Sequence, residues 1–83
     1  MKKNEIKEKL NEFLKNRLEY DETLLVPEAD LKEDIGMTSL DATEIGILIN
    51  KAFGFMPNRG DIKMLTTLQD LYDYVEKNVE EKE

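Results

Sequence analysis

Few residues in this chain could do chemistry, and the most informative is Ser39, in the stretch Asp34-Ile35-Gly36-Met37-Thr38-Ser39-Leu40-Asp41. The 83 residues contain no histidine and no cysteine. That removes the usual base partner of a nucleophilic serine and the usual thiolate and imidazole zinc ligands. A serine without a base is a poor nucleophile, but it remains an acceptor hydroxyl that another enzyme can modify. Thr38 is a good helix N-cap, and Asp41 three residues later can return a bond to the cap's backbone N–H. Ser39 therefore opens a helix, where free N–H groups and the positive dipole end favour a negatively charged group. Taken alone, the same four residues read as a capped helix start and nothing more.

Carboxylates are the only other candidates. Glu33 and Asp34 could serve acid–base work in principle, but adjacent in a solvated loop they should stay ionised. Asp30, Glu33 and Asp34 could attract a divalent cation weakly, although their spacing is not that of an EF-hand. No intrinsic metal site and no catalytic residue is assigned, so an enzyme is the least favoured class.

The elements that must position Ser39 are helical. Residues from about Asn4 to Tyr20 read as an amphipathic helix with Ile6, Leu10, Phe13, Leu14 and Leu18 on one face and Asn4 as its N-cap. Residues 21–37 contain Pro27, Gly36 and several acids without helical periodicity. They read as a long ordered loop pinned to the core by Leu24, Leu25, Val26, Leu31 and Ile35. A second helix is expected from about Ser39 to Phe53, and a short one around Asp61-Ile62-Lys63-Met64-Leu65. The last should start after Thr66 or Thr67, capped by Thr67 with Asp70, and run to about Asn78 or Val79. With no strand signal and no repeat, the expected fold is a small all-α four-helix bundle in one domain, residues 1–83.

On the second helix, Ile45, Leu48, Ile49, Ala52 and Phe53 share one arc and should face the core. Leu40 and Ile47 fall about 160–220° from Ile45, flanking Thr43 and bordered by Glu44 and Lys51. Leu40 and Ile47, with Asp41 and Glu44, are thus a candidate docking surface, because a partner reading Ser39 would cover this face. Gly46 lies beside the core arc. Either another backbone approaches it closely, or it loosens the helix.

Composition bounds the partners. Hydrophobic residues make up 40% and charged residues 37% of the chain, which fits a folded domain with a charged surface. The net charge of −7 argues against nucleic-acid binding. Residues 21–40 carry Asp21, Glu22, Glu28, Asp30, Glu33 and Asp34 against Lys32 alone, so a partner approaching there should be basic. The acids could equally serve solubility alone, the reading preferred for the C-terminal run Glu80-Glu81-Lys82-Glu83. The lysines at the N-terminus precede no apolar run, and Ile45-Gly46-Ile47-Leu48-Ile49 is too short to span a bilayer. A cytoplasmic monomer is expected.

The stretch around Ser39 resembles the prosthetic-group site of acyl carrier proteins, whose usual form is Asp-(Leu/Ile)-Gly-x-Asp-Ser-Leu-Asp. The resemblance covers most of the chain, from the first helix through Pro27-Glu28, the Ser39 helix, Phe53-Gly54 and Leu65-Thr66-Thr67-Leu68-Gln69-Asp70-Leu71. It implies a non-enzymatic carrier whose Ser39 receives 4'-phosphopantetheine from coenzyme A through a phosphopantetheinyl transferase. Acyl groups would then ride as thioesters, in fatty acid or a related polyketide-like or lipid biosynthesis. The other implied partners are acyl-transferring and synthase enzymes with basic docking patches. The implied acyl pocket is lined by Ile45, Ile49, Phe53, Ile62 and Leu65, and a magnesium ion used by the transferase would lie near Asp34.

This sequence departs from the pattern in several places. Thr38 replaces the Asp before the serine, Asn50-Lys51-Ala52 replace acids, and Asn58-Arg59-Gly60 follow a loop about one residue shorter. A specialised carrier therefore stands beside a housekeeping one. An aminoacyl or peptidyl carrier, and an unmodified helical interaction module, are the alternatives.

Overall fold

The computed structural model describes residues 3–82, with side chains described for residues 4–58 and 60–79. Four helices follow in the order α1 (Lys3–Asn16), α2 (Ser39–Phe53), α3 (Arg59–Met64) and α4 (Leu68–Lys82). A single 3₁₀ turn, Glu22–Leu24, lies between α1 and α2. No strand occurs among the described residues, only an isolated bridge between Asp30 and Thr67. The all-α bundle of three main helices and one short one is as expected.

Helix α1 packs on α4 and α2, and α2 packs on α3. Ile6, Leu10 and Leu14 of α1 meet Ile45 and Ile49 of α2, Ile62 of α3 and Leu68, Leu71 and Val75 of α4 in one contiguous core. Removing this apolar surface from water is the main stabilising term. No charged or polar side chain is buried among the described residues.

The first helix differs from expectation at both ends. Lys3 is already helical, so Asn4 sits inside the first turn rather than at the cap, which lies outside the described residues. The helix then stops at Asn16, short of Tyr20. The amide of Tyr20 donates back to the Leu14 carbonyl at 3.0 Å, and Glu19 adopts a left-handed φ of 58°. That conformation costs a non-glycine residue about 1–2 kcal/mol. It reverses the chain while Leu18 and Tyr20 still reach the core.

The long loop is ordered by its own acids and by α4. Asp21 caps the 3₁₀ turn, accepting from the Thr23 amide at 2.9 Å and the Thr23 hydroxyl at 2.7 Å. Leu25 lies half-buried after it, at φ −86° and ψ 66°, and the Val26 amide closes on the Leu24 carbonyl at 3.0 Å. This tight inverse γ-turn leaves Leu24 and Val26 exposed, so they do not pin the loop as expected. Ala29, Leu31, Ile35 and Met37 are the buried anchors. Asp30 Oδ1 accepts from the amides of Lys32 (2.9 Å) and Glu33 (2.8 Å), while Asp34 Oδ2 accepts from the Asp30 amide at 2.8 Å. Backbone bonds from Leu31 to Thr66, Leu68 to Ala29 and Gln69 to Pro27 then fasten the loop to the start of α4.

Both remaining long helices begin on capping boxes, as expected. At α4, the Asp70 amide donates to Thr67 Oγ1 at 3.2 Å and the Thr67 amide donates to Asp70 Oδ2 at 3.1 Å. Helix α4 runs on to Lys82, past the expected Asn78 or Val79, because Glu-Glu-Lys at its end are good helix formers. Helix α3 starts at Arg59, two residues before the expected segment, capped by Asn58, whose side chain accepts from the Gly60 amide at 2.7 Å.

Candidate functional site

Ser39 is the first residue of α2 and is exposed. Thr38 is its cap: Thr38 Oγ1 accepts from the Asp41 amide at 3.2 Å, and Asp41 Oδ2 accepts from the Thr38 amide at 3.2 Å. Gly36, at φ 83°, supplies the left-handed turn that brings the chain to this cap, and Met37 is buried, its amide bonded to the Leu31 carbonyl at 2.7 Å. The serine thus stands on a fixed shelf, its side chain outward and the free amides of the first turn beside it.

A residue not singled out from the sequence completes the shelf. The Tyr20 hydroxyl donates to the same Asp41 Oδ2 at 2.7 Å. Burial, then the bond to Asp41, pushes the Tyr20 phenol well above its ordinary range. Asp41 is half-buried, and the one oxygen serves both the cap and the link to the segment that follows α1. The sequence reading assigned it to docking; its observed contacts are internal.

The remaining docking candidates lie on the solvent side of α2. Leu40 is 76% exposed and Ile47 46% exposed, with Glu44 exposed between them. Two further apolar side chains extend this surface beyond what sequence reading found, Met56 at 64% and Met64 at 82% exposure. Thr43, Gly46, Ile47, Met56, Pro57 and Asn58 border a surface groove of about 530 Å³. Gly46 has no close backbone neighbour. A Cβ there would meet Pro57 Cγ at 3.7 Å and Ile62 Cδ1 at 3.8 Å, ordinary contact distances, so backbone approach is not the reason for this glycine.

Of the residues expected to line an acyl pocket, Ile45, Ile49 and Ile62 are fully buried in the core. Phe53 and Leu65 are half-buried and pack against it from the rim. The Lys9 ammonium lies 5.9 Å from the Phe53 ring centroid, on the α1 side. Among the described residues no cluster of acids with metal-binding geometry occurs, and Asp30 and Asp34 spend their carboxylates on loop amides.

A concavity of about 320 Å³ opens beside the serine, lined by Lys32, Met37, Thr38, Ser39, Ala42 and Lys63. Its two lysines and the helix start make it electropositive within an otherwise acidic chain.

Comparison with known proteins gives this geometry a context. A family model for the phosphopantetheine attachment site matches residues 5–75. The acyl carrier protein of Rubrobacter xylanophilus is 35% identical over 75 residues, covering 90% of this chain and 93% of the relative. That of Thermosynechococcus vestitus is 32% identical over 79 residues, covering 95% and 98%. That of Syntrophobacter fumaroxidans is 31% identical over 70 residues, covering 84% and 86%. The implied prosthetic group is 4'-phosphopantetheine, covalently held, and the site fits it: an exposed hydroxyl, unsatisfied helix amides and a positive concavity suit a phosphodiester. No described helix is long and apolar enough to cross a membrane. The chain belongs to the phosphopantetheine-attachment-site family, the family of the acyl carrier proteins.

Proposed function

We propose that this chain carries acyl intermediates as thioesters on a 4'-phosphopantetheine arm attached through Ser39 Oγ, in fatty acid or a related biosynthesis, as a cytoplasmic monomer without catalytic activity of its own. The observation that carries this reading is the exposed Ser39 hydroxyl on a helix start held by the Thr38–Asp41 box. When bound, the group supplies the thiol that a chain without cysteine lacks. The chain's own residues do the positioning. Ser39 Oγ would form the new P–O bond, its proton would leave to a base on the transferase, and the pyrophosphate P–O bond of coenzyme A would break to release the nucleotide half. The first-turn amides and the dipole stabilise the negative charge placed next to them.

Partner enzymes, the transferase and the acyl-transferring and synthase enzymes, would dock over Leu40, Glu44 and Ile47, with Asp41 contributing charge from behind. A basic patch on the partner complements Glu44, and its apolar centre covers Leu40 and Ile47. Toward the end of α2 the charge changes sign at Lys51, and α3 carries Lys63. This supports a carrier serving a dedicated pathway, whose enzymes read a mixed face rather than a uniformly acidic one. A folded-back acyl chain would enter between α2 and α3 by parting Ile45, Ile49, Phe53, Ile62 and Leu65.

Intact-mass measurement after incubation with coenzyme A and a broad-specificity transferase tests the reading. One phosphopantetheine mass should appear, and none on Ser39→Ala. No addition, beside a working control carrier, would leave an unmodified interaction module. Glu44→Lys and Ile47→Asp should slow partner turnover, and unchanged rates would remove the docking face.

A further inference from the structure

We propose that Lys32 and Lys63 form a two-lysine clamp for the phosphodiester attached to Ser39, holding the root of the arm on the side between the loop and α3. The inference rests on Ser39 being the attachment point. Lys32 comes from the turn at residues 31–34 and Lys63 from α3, yet both line the concavity that contains Ser39 and Thr38. Lys32 is the only basic residue in the acid-rich segment 21–40, so its placement beside the serine is not what charge balance along the chain would produce.

Neither ammonium is in an ion pair among the described residues. Three of the neighbouring carboxylates have one oxygen engaged by a backbone amide or by Tyr20. Asp30 Oδ1 takes the Lys32 and Glu33 amides, Asp34 Oδ2 takes the Asp30 amide, and Asp41 Oδ2 takes the Thr38 amide and the Tyr20 hydroxyl. The two lysines and the free amides of the first α2 turn therefore border the space beside Ser39 into which a phosphodiester on Ser39 Oγ would project. Ammonium groups bind phosphate oxygens as point charges, without the fixed geometry an arginine would impose, which suits a linkage that must still swing. Helix α3 is itself held in place, with Tyr74 of α4 donating to Asp61 Oδ2 at 3.1 Å, so Lys63 approaches from a fixed base.

The test uses the full chain, loaded at Ser39 and verified by intact mass, as wild type and as Lys32→Gln, Lys63→Gln and the double variant. The phosphorus NMR resonance of folded loaded protein is compared with the same sample in denaturant, at low and high salt. In the wild type the folded resonance should be displaced from the denatured position, and raising salt should shrink the displacement. Each single variant should lose part of the displacement and the double variant more than half. The thermal midpoint of loaded protein, relative to unloaded, should fall in the double variant. A displacement and a loaded-minus-unloaded midpoint that are the same in double variant and wild type overturn the clamp and leave the carrier reading standing. A wild type that gains no mass at Ser39 overturns the carrier reading itself, before any phosphorus is observed.

Discussion

Replacing Gly46 by alanine tests the packing of α2 directly. Gly46 is buried in the middle of α2, at a φ that an L-residue adopts freely. An added Cβ would sit 3.7 Å from Pro57 Cγ and 3.8 Å from Ile62 Cδ1, so it makes contact without displacing either. Exchanging glycine for alanine in a helix interior gains about 0.8–1.0 kcal/mol of propensity. The contacts of the new methyl with Pro57 and Ile62 add a few tenths, for a total of about 1–1.5 kcal/mol. For a chain of this length that corresponds to a rise in midpoint of roughly 4–12 °C. Urea unfolding followed by far-UV circular dichroism should show a higher midpoint at unchanged slope. A lower midpoint would mean that the space beside Gly46 is not there, and the reasoning would fail. In the acyl-loaded protein the same variant reports on breathing of the helix. If α2 must loosen to admit a chain between itself and α3, the stabilised variant should protect its thioester less well against hydrolysis.

Tyr20→Phe removes a hydrogen bond to a half-buried carboxylate and should cost about 1.5–3 kcal/mol, read by urea unfolding. In a double-mutant cycle with Asp41→Asn the two losses should be strongly non-additive, and additivity would refute the link. Thr38→Ala should lower stability by about 1 kcal/mol and slow the modification of Ser39, measured by intact mass against time. Burial raises the phenol pKa of Tyr20, Tyr72 and Tyr74 alike, with the bond to Asp41 adding to it at Tyr20. A folded pKa above the unfolded value means that their contribution is complete below about pH 10, and it is lost as pH rises from there toward the folded values. Tyrosinate absorbance should therefore appear together with unfolding at alkaline pH, and Tyr20→Phe should flatten that decline.

The parts of the structure written in local chemistry were legible in the sequence. Thr38 with Asp41 and Thr67 with Asp70 fixed both helix starts, because a capping box involves residues three apart. Leu40 and Ile47 were legible as exposed because helical periodicity alone places them opposite Ile45. The end of α1 was not, since Leu18 continues the apolar rhythm while the reversal at Glu19 comes from a left-handed residue that is not glycine. Leu24 and Val26 were misplaced because a γ-turn, not a period, decides which side they face. The bond from Tyr20 to Asp41 spans 21 residues, and Lys32 and Lys63 come to line one concavity only after α3 has docked, so neither leaves a local signature.

The stitching of the loop to α4 has a consequence for truncated copies. The carbonyl that anchors Leu31 belongs to Thr66, and the amides that close on Ala29 and Pro27 belong to Leu68 and Gln69. A chain cut short ahead of Thr66 therefore carries Ser39 without the residues that brace its platform. A peptide ending ahead of Thr66 keeps the Thr38 cap but not the brace, and it should be a poor substrate for the transferase. On the proposed reading, loading at Ser39 then depends on α4 as well as on the cap, and copies lacking α4 are left without an arm.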